Sequence, residues 1–246
     1  MKNTPKNIIA VAIAAVGFIV GVGLLGSAIK NRNQGENTIS VTGLGTKQFT
    51  SDLITWNGNF SRSSYQLQDA YNALASDRAK IQSYLNSKGV KKEEMIFSAV
   101  DIQKIYNYVS DGQGGSRQVF EGYQLSQTVS IQSKEVAKIE NISRNITEII
   151  NQGIEFTSSS PDYFYTKLAE VKQQMIADAT KDAKQRAEKI AANAGAKLGH
   201  LKKASMGVIQ ITAPNSNEDF SYGGTFNTSS KEKEASITIK LEYQVD

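Results

Sequence analysis

The chain has 246 residues, 39% of them hydrophobic, and 28 basic against 24 acidic residues give a formal net charge of +4. This length and apolar content allow a sizeable core and exclude a disordered chain. The sequence has no cysteine, which excludes disulfides, thiol nucleophiles and cysteine metal sites, and its single histidine, His200, excludes any site that needs two.

The first predicted element is an apolar helix, because the 22 residues from Ile8 to Ile29 carry no charge. As a helix they would span about 33 Å, enough for a hydrocarbon core of about 30 Å. The flanking positive charges predict a single-pass inner-membrane anchor, with residues 1–7 in the cytoplasm and the rest of the chain in the periplasm. The alternative is a signal peptide cleaved after Ala28, which would leave a soluble periplasmic protein.

This N-terminal segment has two further features. Gly17 and Gly21 form a GxxxG pattern, through which two apolar helices can approach closely, and residues 30–37 predict a short polar tether. Residues 1–36 also hold four basic residues and one acidic residue, so the remainder carries 24 basic and 23 acidic residues. A balance so close to neutral does not predict a nucleic-acid-binding face.

From residue 38 onward, segments with a hydrophobic period of two residues, typical of strands, alternate with segments whose period is 3.6 residues, typical of helices. They predict an α+β domain over residues 38–246, with mixed sheets and three main helices in the order β-β-α-β-β-α-β-α-β-β. Gly89, Gly153 and Gly195 each precede an apolar residue or strand and predict the helix ends. The domain forms one lobe or two, and a seam is expected near residues 153–161 if there are two.

The first two strands open at Ile39 and Leu53, with a bend or bulge expected at Gly43 and Gly45. Ser63 and Gln66 predict a capping box for the first main helix. The stripe expected to face the core on that helix consists of Leu67, Tyr71, Leu74, Ile81 and Leu85.

A long hairpin is predicted next, because Met95–Val109 and Val119–Ile131 alternate on either side of the glycine-rich turn 110–116. Tyr106, Tyr108 and Tyr123 fall on this hairpin. They could form an aromatic platform for sugars or single strands, although tyrosines on a hairpin more commonly pack within the sheet.

Two more helices and the last strand complete the domain. Residues 134–152 predict a helix, and Ser160 and Pro161 predict the start of another that runs to Gly195. A narrow face of that helix is expected to pack closely against another element; its members are Ala179, Ala183, Ala187, Ile190 and Ala194. The segment 236–245 alternates cleanly and predicts a strand.

The sequence contains no recognisable set of catalytic, cofactor-binding or metal-binding residues. His200 has no partner at a spacing typical of a nucleophilic or metal site. The carboxylates of Glu93 and Glu94 stand beside two lysines, and those of residues 178–188 alternate with basic residues along a helix, as solvated charges do. No cofactor and no catalytic residue is therefore predicted.

Four blocks of the sequence occur in the same order in a known family. They are residues 39–46 (ISVTGLGT), 85–95 (LNSKGVKKEEM), 121–123 (EGY) and 179–199 (ATKDAKQRAEKIAANAGAKLG). In these blocks the chain resembles the SIMPL-domain family, which includes a periplasmic immunogenic and outer-membrane-protein group of bacterial envelopes. The resemblance implies an α+β periplasmic protein, an association with envelope or oxidative stress, and ring- or channel-like oligomers in some members. It implies no catalytic residue and no substrate.

The leading expectation is a membrane-tethered, non-enzymatic protein that assembles with itself and supports envelope integrity or stress tolerance. The alternatives are a binding module for a small molecule or glycan, and a hydrolase with an unrecognised carboxylate site. The candidate contacts between subunits are Ala183, Ala187, Tyr106, Tyr108, Tyr123, Gly17 and Gly21.

Overall fold

The computed structural model describes residues 4–32, 37–110 and 115–245. The helices are α1 (Thr4–Arg32), α2 (Leu67–Ser87), α3 (Val136–Asn145) and α4 (Leu168–Asn193). The strands are β1 (Thr38–Thr50), β2 (Leu53–Ser64), β3 (Met95–Phe97), β4 (Asp101–Ser110), β5 (Ser116–Ser133), β6 (Phe156–Ser158), β7 (Asp162–Phe164), β8 (Leu198–Met206), β9 (Gln210–Thr212) and β10 (Glu232–Val245). The predicted α+β class is confirmed, and the three main helices are present. The strands outnumber the prediction because several predicted strands are broken or followed by short additional ones.

The strands form two sheets. In the first, β10 lies between β1 and β8 and also pairs with β9; in the second, β5 lies between β2 on one side and β3 and β4 on the other, and β2 pairs further with β6 and β7. All named strand pairs with a described register are antiparallel. The described residues fall into two compact units, one within 1–43, 181–205 and 240–246 and the other within 44–180 and 206–239.

The core of the second sheet follows the alternation of its strands. Inward-facing residues of β2 and β5 are buried together with one stripe of α2 and one of α3. The largest members are Ile54, Trp56, Phe60, Leu74, Ile81, Leu85, Leu125, Ile131, Ile139, Ile146 and Ile149. Ile54, Trp56 and Phe60 lie on one buried face of β2, and the predicted alternation of the last strand is confirmed by its buried apolar residues, which are Ala235, Ile237, Ile239, Leu241 and Tyr243.

The prediction for α2 is wrong at the start of the helix and correct at its end. The predicted capping box is wrong, because Ser63 still belongs to β2 and the N-cap residue, Gln66, makes no side-chain cap. The predicted C-terminal end is confirmed, because Gly89 has φ +82° and its N–H and that of Val90 bond back to the last turn. Along the helix, Leu67 and Tyr71 are exposed instead of buried.

The helix α4 starts later than predicted, at Leu168. Residues 162–164 instead form β7, which pairs with β2. The Asp52 carboxylate accepts hydrogen bonds of 2.7 Å from the N–H and the hydroxyl of Thr166, just before the helix. Tertiary pairing therefore overrides the local helix signal at Pro161. The buried stripe of the helix is Val171, Met175, Ala179, Ala183, Ala187 and Ala191.

Gly45 lies in the unbroken strand β1, so the bend expected there is wrong. A Cβ atom at this position would lie 2.3 Å from the carbonyl oxygen of Met175 on α4. The glycine is needed because the helix approaches the strand backbone too closely for a side chain. Its conformation along the strand is ordinary.

The helix α1 contains the predicted apolar segment. Its described apolar side chains, such as Phe18 and Leu24, are exposed. Among the helical residues described in full, no stretch is both long enough and apolar enough to cross a membrane. The membrane anchor therefore stays a prediction, and half of the predicted tether, residues 33–36, lies outside the described residues.

Candidate functional site: an aromatic surface on the β4–β5 hairpin

The hairpin of β4 and β5 extends beyond the sheet to which it belongs. The pairing of β2 with β5 ends at Ser64 and Tyr123, whereas β4 continues to pair with β5 as far as Ser110 and Ser116. Residues 116–122 of β5 thus have β4 as their only strand partner among the described residues. All of β4 is exposed except the partly buried Ile105. A two-stranded ribbon of this kind is marginally stable unless something covers its apolar side.

A β-bulge in the hairpin places its aromatic residues on one face. Ile105 pairs with Gly122 but Tyr106 pairs with Phe120, so Glu121 is the extra residue. The bulge brings Phe120 to the same side as Tyr123, three positions later in the strand, where regular alternation would place them on opposite sides. Gly122 has φ +147°, and a Cβ atom there would lie 2.7 Å from the Ser64 carbonyl oxygen. Both the backbone conformation and the close approach therefore require glycine.

Phe120 is the centre of an aromatic cluster. Its ring lies 5.2 Å from that of Tyr123, 5.4 Å from that of Tyr65 and 5.7 Å from that of Tyr106, each in an edge-to-face arrangement. Such contacts add about 0.5–1.5 kcal/mol each beyond the burial of the rings. They hold the ribbon against the chain segment that connects β2 to α2, while Tyr65 and Tyr106 remain exposed.

The cluster continues into an exposed apolar surface. We call the residues Tyr65, Leu67, Tyr71, Ile102 and Tyr106 the hairpin surface. All five are exposed, between 39% and 63% of their full area. Leu67, Tyr71 and Ile102 also line a shallow recess of about 290 Å³. Contiguous apolar surface on a folded chain marks a site of interaction more often than isolated apolar residues do.

The structure brings together only some of the predicted site residues. Tyr106 and Tyr123 meet through Phe120, as described above. Tyr108 lies outside the cluster, strongly exposed, and its hydroxyl accepts a hydrogen bond of 3.4 Å from Gln118. The tyrosines are therefore partly a packing cluster and partly an exposed surface.

The other candidate contacts lie elsewhere. Ala183 and Ala187 are fully buried within the chain, as the close packing expected of this helix face requires, and their role as contacts between subunits stays a prediction. Ile190, predicted on the same face, is half-exposed. Gly17 and Gly21 lie on α1, and a Cβ atom at either position would meet nothing within 4 Å.

Sequence analysis missed four residues of this region: Tyr65, Leu67, Tyr71 and Phe120. The spacing of Leu67 and Tyr71 is that of a helix stripe, and it was assigned to the core. Because α2 begins beside the ribbon and not over the sheet, these residues face outward. No signal in the sequence alone gives the position of the bulge that turns Phe120 toward them.

A more polar recess of about 660 Å³ includes Glu94 and Ser133 in its lining. The Glu94 carboxylate accepts hydrogen bonds from the Ser133 hydroxyl and from the Lys91 N–H. Burial acts to raise the pKa of Glu94, but these two hydrogen bonds together with the positive charges of Lys91 and Lys138 outweigh it and hold the pKa below its ordinary value. Glu94 thus stays ionised as a structural acceptor that joins the turn before β3 to the end of β5.

The single histidine, His200, is an exposed residue of β8. Within residues 4–32, 37–110 and 115–245, no group of three or more histidine, cysteine or acidic side chains is placed so that it could hold a metal ion.

The family model described as "SIMPL: Protein of unknown function (DUF541)" matches residues 39–245 of the chain. A 26 kDa periplasmic immunogenic protein of Brucella abortus (strain S19) is 22% identical over 209 residues, which cover 83% of this chain and 81% of that protein. The protein of the same name from Brucella melitensis biotype 1 matches with the same identity and coverage.

Proposed function

The chain belongs to the SIMPL family, and we propose that it is a membrane-tethered periplasmic protein without enzymatic activity, which assembles with itself through the hairpin surface and supports the integrity or stress tolerance of the cell envelope. The periplasmic location is inferred from the two Brucella relatives, which are named as periplasmic proteins. The observation that carries the proposed assembly is the hairpin surface.

Self-association would cover the exposed apolar side of the β4–β5 ribbon. The hairpin surface exposes five large apolar or aromatic side chains next to an aromatic cluster that already fixes their positions. Complete burial of such a side chain contributes about 1.5–3 kcal/mol, so the exposed half of each would contribute about 1 kcal/mol. Rigid aromatic anchors of this kind dominate binding energy in protein interfaces. Among the described strands β4 pairs only with β5, so its other edge, over residues 101–109, could pair with a neighbouring strand.

The variant Ile102→Asp tests this assembly. Ile102 is 53% exposed, so aspartate leaves the fold of one chain intact but places a charge at the centre of the contact. The loss of burial together with the desolvation of the charge should weaken association by about 3 kcal/mol, which is roughly a hundredfold in the dissociation constant. Sedimentation of the full chain in a mild detergent should show a large assembly for the wild type and a shift toward the monomer for the variant.

The matched control is Ile150→Asp. Ile150 is also 53% exposed but lies after α3, outside the hairpin surface. It should leave the assembly unchanged. A wild-type monomer at all concentrations, or an equal effect of the two variants, would contradict assembly through the hairpin surface.

The proposed tether is α1. The helix continues for 29 residues, about 43 Å at the usual rise. Its described valine, leucine, isoleucine and phenylalanine side chains lie exposed along it, and such a surface is stable in lipid but costly in water. A Cβ atom at Gly17 or Gly21 would meet none of the described residues within 4 Å, so this face of the helix leaves room for a second anchor helix to approach.

N-terminal sequencing of the protein extracted from native membranes tests the tether. We expect the terminus at Met1 or before Ile8, with the protein in the membrane fraction after a carbonate wash. A terminus at Ile29 and recovery in the soluble fraction would show instead that the segment is removed after Ala28. That outcome would leave the proposed assembly through the hairpin surface intact.

A further inference from the structure

A second, larger apolar groove lies on the outer face of the first sheet. Its floor is formed by outward-facing residues of β1 and β10, among them Leu44, Thr46, Ser236 and Thr238. Its wall is the connection between β9 and β10, through Phe220 and Tyr222. The groove encloses about 700 Å³, within the range of about 300–1,000 Å³ usual for small-molecule sites.

Hydrogen bonds from one buried side chain hold the wall of the groove in place at its base. The buried side chain of Gln210 donates a hydrogen bond of 2.8 Å to the Ser221 carbonyl and accepts hydrogen bonds from the N–H groups of Ser221 and Thr225, at 3.2 and 2.7 Å. The Gly224 N–H closes a turn by donating to the Ser221 carbonyl. The segment that carries the two aromatic residues is therefore held in a defined shape before any ligand arrives.

The aromatic side chains of Phe220 and Tyr222 are strongly exposed although hydrogen bonds fix the backbone of their segment. Phe220 is 70% exposed and Tyr222, at the tip of the turn, is fully exposed. Leu44 and Val208, which also line the groove, are half-exposed. The fold thus holds apolar side chains in water on both sides of the groove, and an apolar body placed between them would remove this surface from solvent.

The charge in the groove is negative. Glu234 is the only residue in its described lining that is charged at neutral pH. One of its carboxylate oxygens accepts a hydrogen bond of 2.8 Å from Gln48, which leaves acceptor capacity for a ligand. The nearest buried cation, Lys233, alternates with Glu234 along β10 and points to the opposite face, where it donates to the carbonyls of Asn227 and Ser230.

We propose that this groove binds an amphiphilic organic cation, with an apolar body between Leu44 and the rings of Phe220 and Tyr222 and an ammonium group on the Glu234 carboxylate. The hydroxyls of Thr46 and Ser236, which also line the groove, can accept further ammonium hydrogens. A neutral hydroxyl could donate one hydrogen bond to the carboxylate but would bring no opposite charge to it, and an anion would be repelled by it.

Three probes that share one phenylbutyl body test the proposal: 4-phenylbutylammonium, 4-phenylbutanol and 4-phenylbutyrate. The full chain, labelled with ¹⁵N in phosphatidylcholine nanodiscs, is titrated with each, and empty nanodiscs supply the correction for lipid partitioning. The ammonium should bind about fivefold more tightly than the alcohol, the upper range for a partly exposed ion pair. The butyrate should bind most weakly. Amide signals that shift should include Thr46, Ser221 and Thr225.

Two variants and a control locate the effect. Glu234→Gln should abolish the preference for the ammonium and keep the affinity for the alcohol, because glutamine retains a partner for Gln48. Tyr222→Ser, on a fully exposed residue, should weaken all three probes by a similar factor. Glu232→Gln is the matched control, since Glu232 lies on the same face of β10 but bonds to Thr50 outside the groove.

Three results would overturn the proposal: equal affinity of the wild type for ammonium and alcohol, an ammonium preference that survives Glu234→Gln, or shifts only outside the groove. Signals in the groove that move on dilution without any probe would show that a second copy of the chain occupies it instead.

Discussion

The ion pair between Arg62 and Asp77 provides the sharpest test of how the second sheet is held to its helix. Asp77 is 1% exposed and interrupts the apolar stripe of α2. Its carboxylate accepts two hydrogen bonds from the Arg62 guanidinium of β2, the one from Nη2 being 3.0 Å long. Arg62 also donates to the Gly153 carbonyl. The hydrogen bond to Asp77 is the main reason why the pKa of Arg62 lies above its ordinary value.

The variant Asp77→Leu continues the apolar stripe of α2 but leaves the Arg62 guanidinium without its anionic partner. Removal of one partner of a fully buried ion pair costs about 3–5 kcal/mol. Because 32% of the Arg62 side chain is exposed, the freed guanidinium can turn toward water, and we expect a smaller loss of about 2–3 kcal/mol in the free energy of unfolding. The second change Arg62→Met removes the stranded cation. The double variant should therefore be about 2 kcal/mol more stable than the sum of the single effects.

Urea unfolding of the full chain measures this coupling. Trp56, the only tryptophan, is buried in the same core and donates a hydrogen bond of 3.0 Å to Ser158, so its fluorescence reports the loss of that core. The control is the same cycle on Lys88 and Glu148, an exposed pair 3.6 Å apart, for which about 0.5 kcal/mol or less is expected. An equally small coupling between Arg62 and Asp77 would refute the reasoning.

Two other predictions concern stability. Gly45→Ala should lower the free energy of unfolding by about 1–3 kcal/mol, because the added methyl group would press on the backbone carbonyl of Met175, which is held in the helix. The control, Thr46→Ala, changes the opposite face of β1 and should stay within about 0.5 kcal/mol of the wild type. Equal urea midpoints for Gly45→Ala and the wild type would contradict the close approach. Ser133→Ala should cost about 1 kcal/mol at pH 7. The lowered pKa of Glu94 means that this stabilisation is present above the unfolded value, about 4.3, and is lost as the pH falls through the folded value, so the difference between variant and wild type should narrow from pH 6 to pH 3. If the difference in unfolding free energy stayed constant over this pH range, the hydrogen bond to an ionised Glu94 would be contradicted.

The parts of the fold that sequence predicts best are those that local periodicity controls. The alternation of Ile237 with its neighbours on β10, and the glycine that ends α2, were predicted and are confirmed, because burial and a left-handed backbone leave their pattern in adjacent residues. The start of α4 was predicted wrongly because Ser160 and Pro161 satisfy a helix signal and the pairing of β7 with β2 overrides it.

The candidate site was predicted only in part. Tyr106 and Tyr123 were identified from the hairpin pattern, but the residues that complete the exposed surface depend on long-range geometry. Whether Tyr71 faces the core or the solvent depends on where α2 begins relative to β4, and the side on which Phe120 lies depends on a single bulge. Asp77 was missed for a related reason, since its partner Arg62 lies on a different element.

The position of β10 has a consequence for biosynthesis. This strand follows every other strand of its sheet in the sequence, yet it lies between β1, the first of them, and β8. The first sheet therefore cannot close until the end of the chain has been synthesised, and β1 waits with its edge unpaired throughout that time. Sheets with such distant pairings form slowly and expose strands that can pair wrongly with other chains. During synthesis the early strands would gain most from a chaperone that covers them until β10 arrives.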